Sequence, residues 1–257
     1  MTPMRWIRYA TPDGPRWGVL EGEWVRELRG DPFGQWTVGA TVGPLCDVSL
    51  LAPVVPTKIL CVGRNYPAHA AEHGTEVPPE PLLFFKPPSA IIGPDAPIVL
   101  PPQSRQVEYE AELAVVIGRR CRNVRPEEAW AYVLGVTCAN DVTARDLQRR
   151  DGQWTRAKGF DTFCPVGPWL VVGVAEAEMA DRAVICRVNG QVRQHGRTSE
   201  MVFSPADLIA YAASVMTLEP GDLFLTGTPA GVGPIHPGDI VEVEVEGIGV
   251  LRNPVTS

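Results

Sequence analysis

The stretch VEYEAELAVVIG, residues 107–118, decides how this chain is read. In an extended strand alternate side chains share a face. Glu108, Glu110 and Glu112 then point one way, and Tyr109, Ala111, Leu113, Val115 and Ile117 point the other. Like charges side by side on one face repel unless water or a counter-charge relieves them. The glutamate face turns apolar at Ala114 and Val116, so the strand runs into a core. Glu110 and Glu112 are thereby expected at a buried margin, where an unpaired charge is costly.

Outward from this strand the same texture continues. KILCVG, LLFFK, IVL, LGVTCAND, WLVVG, ICRVNG, DLFLTG and DIVEVEVEG are short strand-like runs bounded by turn residues. Helical patterns are fewer: a short one after Pro67, PEEAWAYV from Pro126, VTARDLQRR after Asp141, and SPADLIAYAASVM. In the last, Ser204 is placed as N-cap with Pro205 at the first helical position. The expected class is mostly β with peripheral helices, an α+β sandwich or roll. Residues 1–53 read as a small β unit, and LLAPVVPT joins it to a larger domain over 54–257. The VEVEVEG run at 241–247 reads as an amphipathic strand with a wet glutamate face.

Composition excludes several classes of partner. With a net charge of −7 and no dense basic patch, nucleic acid is not expected. No apolar run approaches the ~20 residues of a membrane span, and the N-terminus lacks the apolar core of a signal peptide. Six cysteines without a C-x-x-C pair read as reduced thiols, which places the protein in the cytoplasm. Only three of 23 basic residues are lysine: Lys58, Lys86 and Lys158. Where arginine serves nearly every other basic position, a lysine kept as a compact ammonium points to a site.

Three further stretches carry chemistry. In GVTCANDVTARDLQRRDG, 135–152, an apolar strand ends at Asn140-Asp141, and a helix from Asp141 would set Asp141, Arg145 and Gln148 on one face. In AKGFDTFCPVGPWLV, 157–171, Lys158 precedes a compact apolar run. In LFLTGTPAGVGP, 223–234, a glycine-rich loop without the P-loop spacing offers N–H groups and the Thr228 hydroxyl to a carboxylate. Against these stand ordinary readings: a helix cap, a surface lysine, a strand-to-strand turn. CVGRNYPAHAAEHG, 61–74, adds His69, Glu72 and His73 in the H-x-x-E-H spacing of some zinc peptidases. Pro67 and Gly74 bound that segment, leaving about two helical turns.

Taken in order, CVGRNYPAHAAEHG, LFFKPPSA, YEAELAVVIG, ANDVTARDLQ, KGFDTFCPVGPW and LTGTPAGVGP resemble the fumarylacetoacetate hydrolase family over residues 57–254. The resemblance implies a mixed β-roll paired as a homodimer. It implies Mg²⁺ or Mn²⁺ held by Glu110, Glu112 and Asp141, and a His69–Glu72 acid–base dyad on a short lid helix. Arg145, Gln148, Lys158 and Thr228 are then expected to hold a 2-oxo or 2-enol carboxylate, Lys158 also stabilising the enolate; Gly227 and Lys86 join the substrate-binding set. The implied activities are isomerisation of 2-hydroxyhepta-2,4-diene-1,7-dioate in aromatic catabolism or a related decarboxylation. Acylpyruvate-type C–C hydrolysis and oxaloacetate decarboxylation or tautomerisation stand second. A zinc peptidase is the remote alternative, disfavoured because three carboxylates suit Mg²⁺ better than zinc. His73 is expected to be a lid or surface residue, and His195 and His236 to be solvated.

Overall fold

The computed structural model describes residues 3–257. Its backbone is a long mixed sheet, a five-stranded sheet and a three-stranded ribbon, with short helices around them. The central strand of the long sheet is Ala111–Ile117. It pairs antiparallel with Val133–Asn140 on one side and Leu223–Leu225 on the other. Leu223–Leu225 in turn runs parallel to Ile59–Gly63, which pairs with the edge strand Leu82–Lys86.

The alternation in 107–118 is realised as two cores. Tyr109, Ala111, Leu113, Val115 and Ile117 enter the larger cluster, together with the helix Pro205–Val215 and the inner face of the five-stranded sheet. Ala114 and Val116 enter a second cluster with Trp6, Ile59, Leu170 and Leu223. The strand is covered on both faces, as a nearly continuous apolar run requires.

The helix Pro205–Val215 begins as expected: the Ser204 hydroxyl accepts from the Asp207 N–H at 3.2 Å, and Pro205 occupies the first turn. In the run 241–247, Val241, Val243 and Val245 are buried, and Glu244 meets Arg187 at 2.6 Å on the outer face. The N-terminal strands do not stand apart from the sheet. Met4–Tyr9 pairs antiparallel with Cys164–Val172, so residues 4–44 extend the long sheet at one end.

Two local expectations are corrected. The strand 107–118 is interrupted at Glu110. Val107–Tyr109 belongs to the three-stranded ribbon and Ala111–Ile117 to the long sheet. Side chains fill the gap in the ladder: Glu110 N–H donates to Asn140 Oδ1 and Ala111 N–H to Gln194 Oε1, both at 2.9 Å. The helix after Asp141 starts late, at Arg145, because Thr143–Ala144 first pairs with Val107–Tyr109. Asp141 is therefore held by its backbone, its N–H donating to Glu110 O at 2.9 Å, and not by helix spacing from Arg145.

Candidate active site

Where the ladder breaks, four carboxylates and three cations are packed out of water. Glu108, Glu110, Glu112, Asp141, Lys86, Arg145 and Lys158 are each no more than 5% exposed. Arg145 donates from Nε to Glu108 at 2.7 Å, from Nη2 to Glu110 at 2.5 Å and from Nη1 to Gln148 at 2.6 Å. Lys158 Nζ bridges Glu110 at 2.8 Å and Asp141 at 2.6 Å. Its ammonium also lies 5.1 Å from the centre of the Phe84 ring. Lys86 Nζ reaches the other Asp141 oxygen at 2.6 Å and the Val142 carbonyl at 3.1 Å.

Glu112 is the exception. Its one hydrogen bond comes from the Gly227 N–H at 2.7 Å, and among the described residues no cation pairs with it. One negative charge of the cluster is thus uncompensated. Glycine is required at 227, where φ is +98° and a Cβ would stand 2.8 Å from Asn65 Cβ. The electrostatics follow. Burial alone would raise the Glu110 carboxyl, but Lys158 and Arg145 outweigh it and hold it well below the usual carboxylate range. Burial raises Glu112, and the charges of Asp141 and Glu110 push it further the same way. Burial works against the charge on Lys158, but Asp141 and Glu110 keep its pKa above the ordinary value.

Ligand oxygens of Glu110, Glu112 and Asp141 all lie within 4.8 Å of one another. An oxygen-only donor set with an unneutralised carboxylate fits a hard divalent cation. A pH test follows for the metal-free protein. A carboxyl whose folded pKa is raised contributes stability below its unfolded value, near 4.5, and loses it as pH rises through the folded value. Glu112→Gln, which cannot ionise, should raise the melting temperature of metal-free protein more at pH 8 than at pH 4. An equal shift at both, or a fall at pH 8, would mean that Glu112 carries no such strain.

A cavity of about 250 Å³ opens onto this cluster. Its wall includes His69, Arg145, Gln148, Lys158, Glu110, Glu112 and Thr228, expected site residues drawn from five separate segments, while Glu72, Asp141, Lys86 and Gly227 are not on it. Arg64, Arg149 and Trp154 line it too, and sequence reading missed them. Trp154 is seated by Gly63, where a Cβ would stand 2.7 Å from the indole.

The helix Pro67–Glu72 carries His69 over the cavity. Burial lowers the His69 pKa; Glu110 opposes this, and Arg145 and Lys158 add to it, which favours the neutral imidazole. Its Nδ1 lies 3.4 Å from Glu72 Oε2 without forming a hydrogen bond. Glu72 is instead fastened to the glycine-rich loop: Gly231 N–H donates to its two oxygens at 3.1 and 3.3 Å. His73 is half-buried and packs edge-on against His69. His195 and His236 are exposed, as expected.

Two of the groups expected to bind substrate are engaged within the protein. Lys86 lies beneath Asp141 with its ammonium bound to the protein, outside the cavity wall. The Gly227 N–H holds Glu112 and is not free for a substrate. The Thr228 hydroxyl, though on the wall, donates to Ala111 O and accepts from Gln194 Nε2, each at 2.8 Å. Gln194 ties that loop to the strand break; nothing in its own segment, QVRQHGR, signals the role.

With fold and site described, the family is plain. The profile of the fumarylacetoacetate (FAA) hydrolase C-terminal family matches residues 58–256, and an "Rv2993c-like, N-terminal" profile matches 4–53. The chain belongs to the fumarylacetoacetate hydrolase family, and it is an enzyme of that family. It is similar to the structure of 2-hydroxyhepta-2,4-diene-1,7-dioate isomerase from Mycobacterium marinum, with a TM-score of 0.90 and 49% identity covering 98% of each chain. Human mitochondrial oxaloacetate tautomerase FAHD2A is 48% identical over 222 residues, 82% of this chain and 71% of that one. The fumarylpyruvate hydrolase of Pseudomonas aeruginosa, solved with Mn²⁺ and pyruvate, has a TM-score of 0.74 and 33% identity, covering 78% of this chain and 90% of its own. Among the described residues no helix is long and apolar enough to cross a membrane.

Proposed function

We propose that this is a Mg²⁺-dependent enzyme, with Mn²⁺ able to substitute, acting on 2-oxo and 2-enol carboxylic acids. Its first substrate is 2-hydroxyhepta-2,4-diene-1,7-dioate, which it isomerises. The observation that carries the reading is Glu112, a buried carboxylate with no cation, beside two others whose cations are already in place. A divalent ion held by Glu110, Glu112 and Asp141 would supply a Lewis acid that the carboxylate and 2-oxo group of such a substrate chelate.

The chain's own groups do the rest. An ammonium has three N–H donors, and Lys158 gives its bonds to Glu110 and Asp141. The remaining donor serves the oxygen on which enolate charge develops. Gln148 accepts from Arg145 through its carbonyl, so its amide N–H groups are left to hold the substrate carboxylate. Arg145 fixes Glu108 and Glu110 and adds positive potential. His69 moves the proton at Nε2, because Nδ1 is shut off from solvent and faces Glu72. Glu72 faces the ring without bonding to it and, through Gly231, keeps the helix seated on the loop.

A second reading is oxaloacetate tautomerisation, favoured by the human relative of that name. Decarboxylation and acylpyruvate C–C hydrolysis draw on the same enolate. A panel of 2-oxo acids separates the four: isomerisation shifts the diene absorbance alone, tautomerisation moves the enol band alone, decarboxylation releases CO₂, and hydrolysis releases two acids. We further infer a cytoplasmic homodimer serving aromatic catabolism. Support comes from five buried free thiols and from exposed Leu82 and Phe85 on an edge strand, apolar surface that a second copy would cover.

Metal removal tests the core of this reading. EDTA treatment followed by dialysis is expected to abolish turnover, and Mg²⁺ or Mn²⁺ to restore it. Full turnover in protein shown by elemental analysis to be metal-free would refute it.

A further inference from the structure

The H-x-x-E-H segment is not used up by this function. His69, Glu72 and His73 lie on one side of the helix Pro67–Glu72 and its first residue beyond, and their ligand atoms lie within 4.8 Å of one another. Two nitrogens of these residues are unsatisfied: His69 Nδ1 and His73 Nε2 are both shut off from solvent and have no hydrogen-bond partner. His69 is only 7% exposed, so its Nδ1 cannot turn to water without moving the helix. Orphaned polar atoms at such depth are rare and call for a partner.

The distances say what kind of partner. His69 Nδ1 and Glu72 Oε2 are 3.4 Å apart and form no hydrogen bond. Two ligands at zinc bond lengths in a tetrahedron are separated by about 3.3–3.4 Å. The two imidazole rings stand at 85° with centroids 4.8 Å apart. Two histidines sharing one tetrahedral ion would place them about 5 Å apart. Histidine nitrogens with one carboxylate make a set for zinc and its neighbours, unlike the oxygen-only set of Glu110, Glu112 and Asp141.

We propose that His69 Nδ1, Glu72 and His73 Nε2 form a second metal site, selective for Zn²⁺ and similar transition-metal dications, that switches the enzyme off when filled. Glu72 can ligate through Oε2 while Oε1 keeps its bond from Gly231. A fourth position is left for water. Glu110 favours a cation here, and Arg145 and Lys158 oppose it. Occupation removes the proton carrier without displacing it. A metal on Nδ1 leaves the ring proton on Nε2, and a protonated Nε2 cannot accept another. That consequence rests on the role given to His69 above; the site itself does not.

The test uses the full-length protein with Mg²⁺ saturating throughout. Wild type, His73→Ala, His73→Gln and Glu112→Gln are dialysed against buffered free Zn²⁺, and bound zinc and turnover are measured on the same samples. Loss of an outer partner alone costs 10–100-fold in metal affinity. Wild type and Glu112→Gln are therefore expected to bind one zinc per chain, and both His73 variants to bind it more than ~100-fold more weakly. Wild-type turnover is expected to fall with occupancy, and each variant's own turnover to resist zinc by the same factor. Zinc binding unchanged in both His73 variants, lost in Glu112→Gln, or absent from wild type would overturn the site. Binding that needs His73 but leaves turnover intact would keep the site and refute the role of His69.

Discussion

His69→Ala is expected to lower kcat by roughly 10²–10⁴-fold, the range for a lost general acid–base group, with bound Mn²⁺ unchanged. The separation of the two readouts follows from the geometry. His69 belongs to the helix Pro67–Glu72, whereas the oxygen donors come from the strand break and from Asp141. The pH profile adds a second discriminator. Burial lowers the His69 pKa, so the ring stays neutral, and competent as a base, until pH falls below the ordinary value of 6.5. The acid limb of kcat/KM is therefore expected below 6.5 and is expected to vanish from the residual activity of the variant. Loss of Mn²⁺ from His69→Ala would mean that the imidazole is a ligand of the catalytic ion, and the carboxylate site as described would fail.

Lys158→Ala is expected to have the largest combined effect. The side chain is 2% exposed and is the only cation shared by Glu110 and Asp141 among the described residues. Breaking a buried ion pair from one side costs about 3–5 kcal/mol, because the remaining charges stay buried without a partner. Turnover should fall at least ~10²–10³-fold, as when one donor to a developing oxyanion is removed. Lys158→Arg should recover part of the stability and little of the turnover: a planar fork meets two carboxylates well but cannot keep a compact ammonium at the same point above Phe84. Turnover retained in Lys158→Ala despite a lower melting temperature would make the lysine a structural counter-ion and nothing more.

What could be read from the chain in advance has a physical pattern. Period-two alternation in 107–118 and capping at Ser204 are local signals, and both were realised. Glu110 and Glu112 stood out as carboxylates beside an apolar run and the His69 segment as a proline-to-glycine helix, whereas joining Asp141 to them as a metal triad was implied by the family resemblance. The groups that make the triad tenable were not legible in the same way. Arg145 meets Glu108 and Glu110 across 37 and 35 residues, and Lys86 meets Asp141 across 55. Gln194 mends the strand break from 83 residues away. Such pairings depend on how strands are ordered in the sheet, which neither spacing nor periodicity reports. The scarcity of lysine did point to Lys86 and Lys158. It could not say that one lies under the site and the other in it. Lys58, the third, is paired with the buried Asp222.

The parallel pairing of Ile59–Gly63 with Leu223–Leu225 has a further consequence for how such a catalyst can diversify. Two adjacent strands running the same way deliver their following segments to one edge of the sheet. Here one is the segment from Arg64 onward that carries His69 over the cavity, and the other is the loop that grips Glu112 through Gly227. The segment over the cavity and the loop that fixes Glu112 are neighbours in space but lie far apart in the chain. Insertions between Gly74 and Leu82 can enlarge or reshape the segment over the cavity while residues 223–228 and the ladder break at Glu110 stay untouched. On the proposed function, substrate choice could then change without altering the groups that carry the reaction.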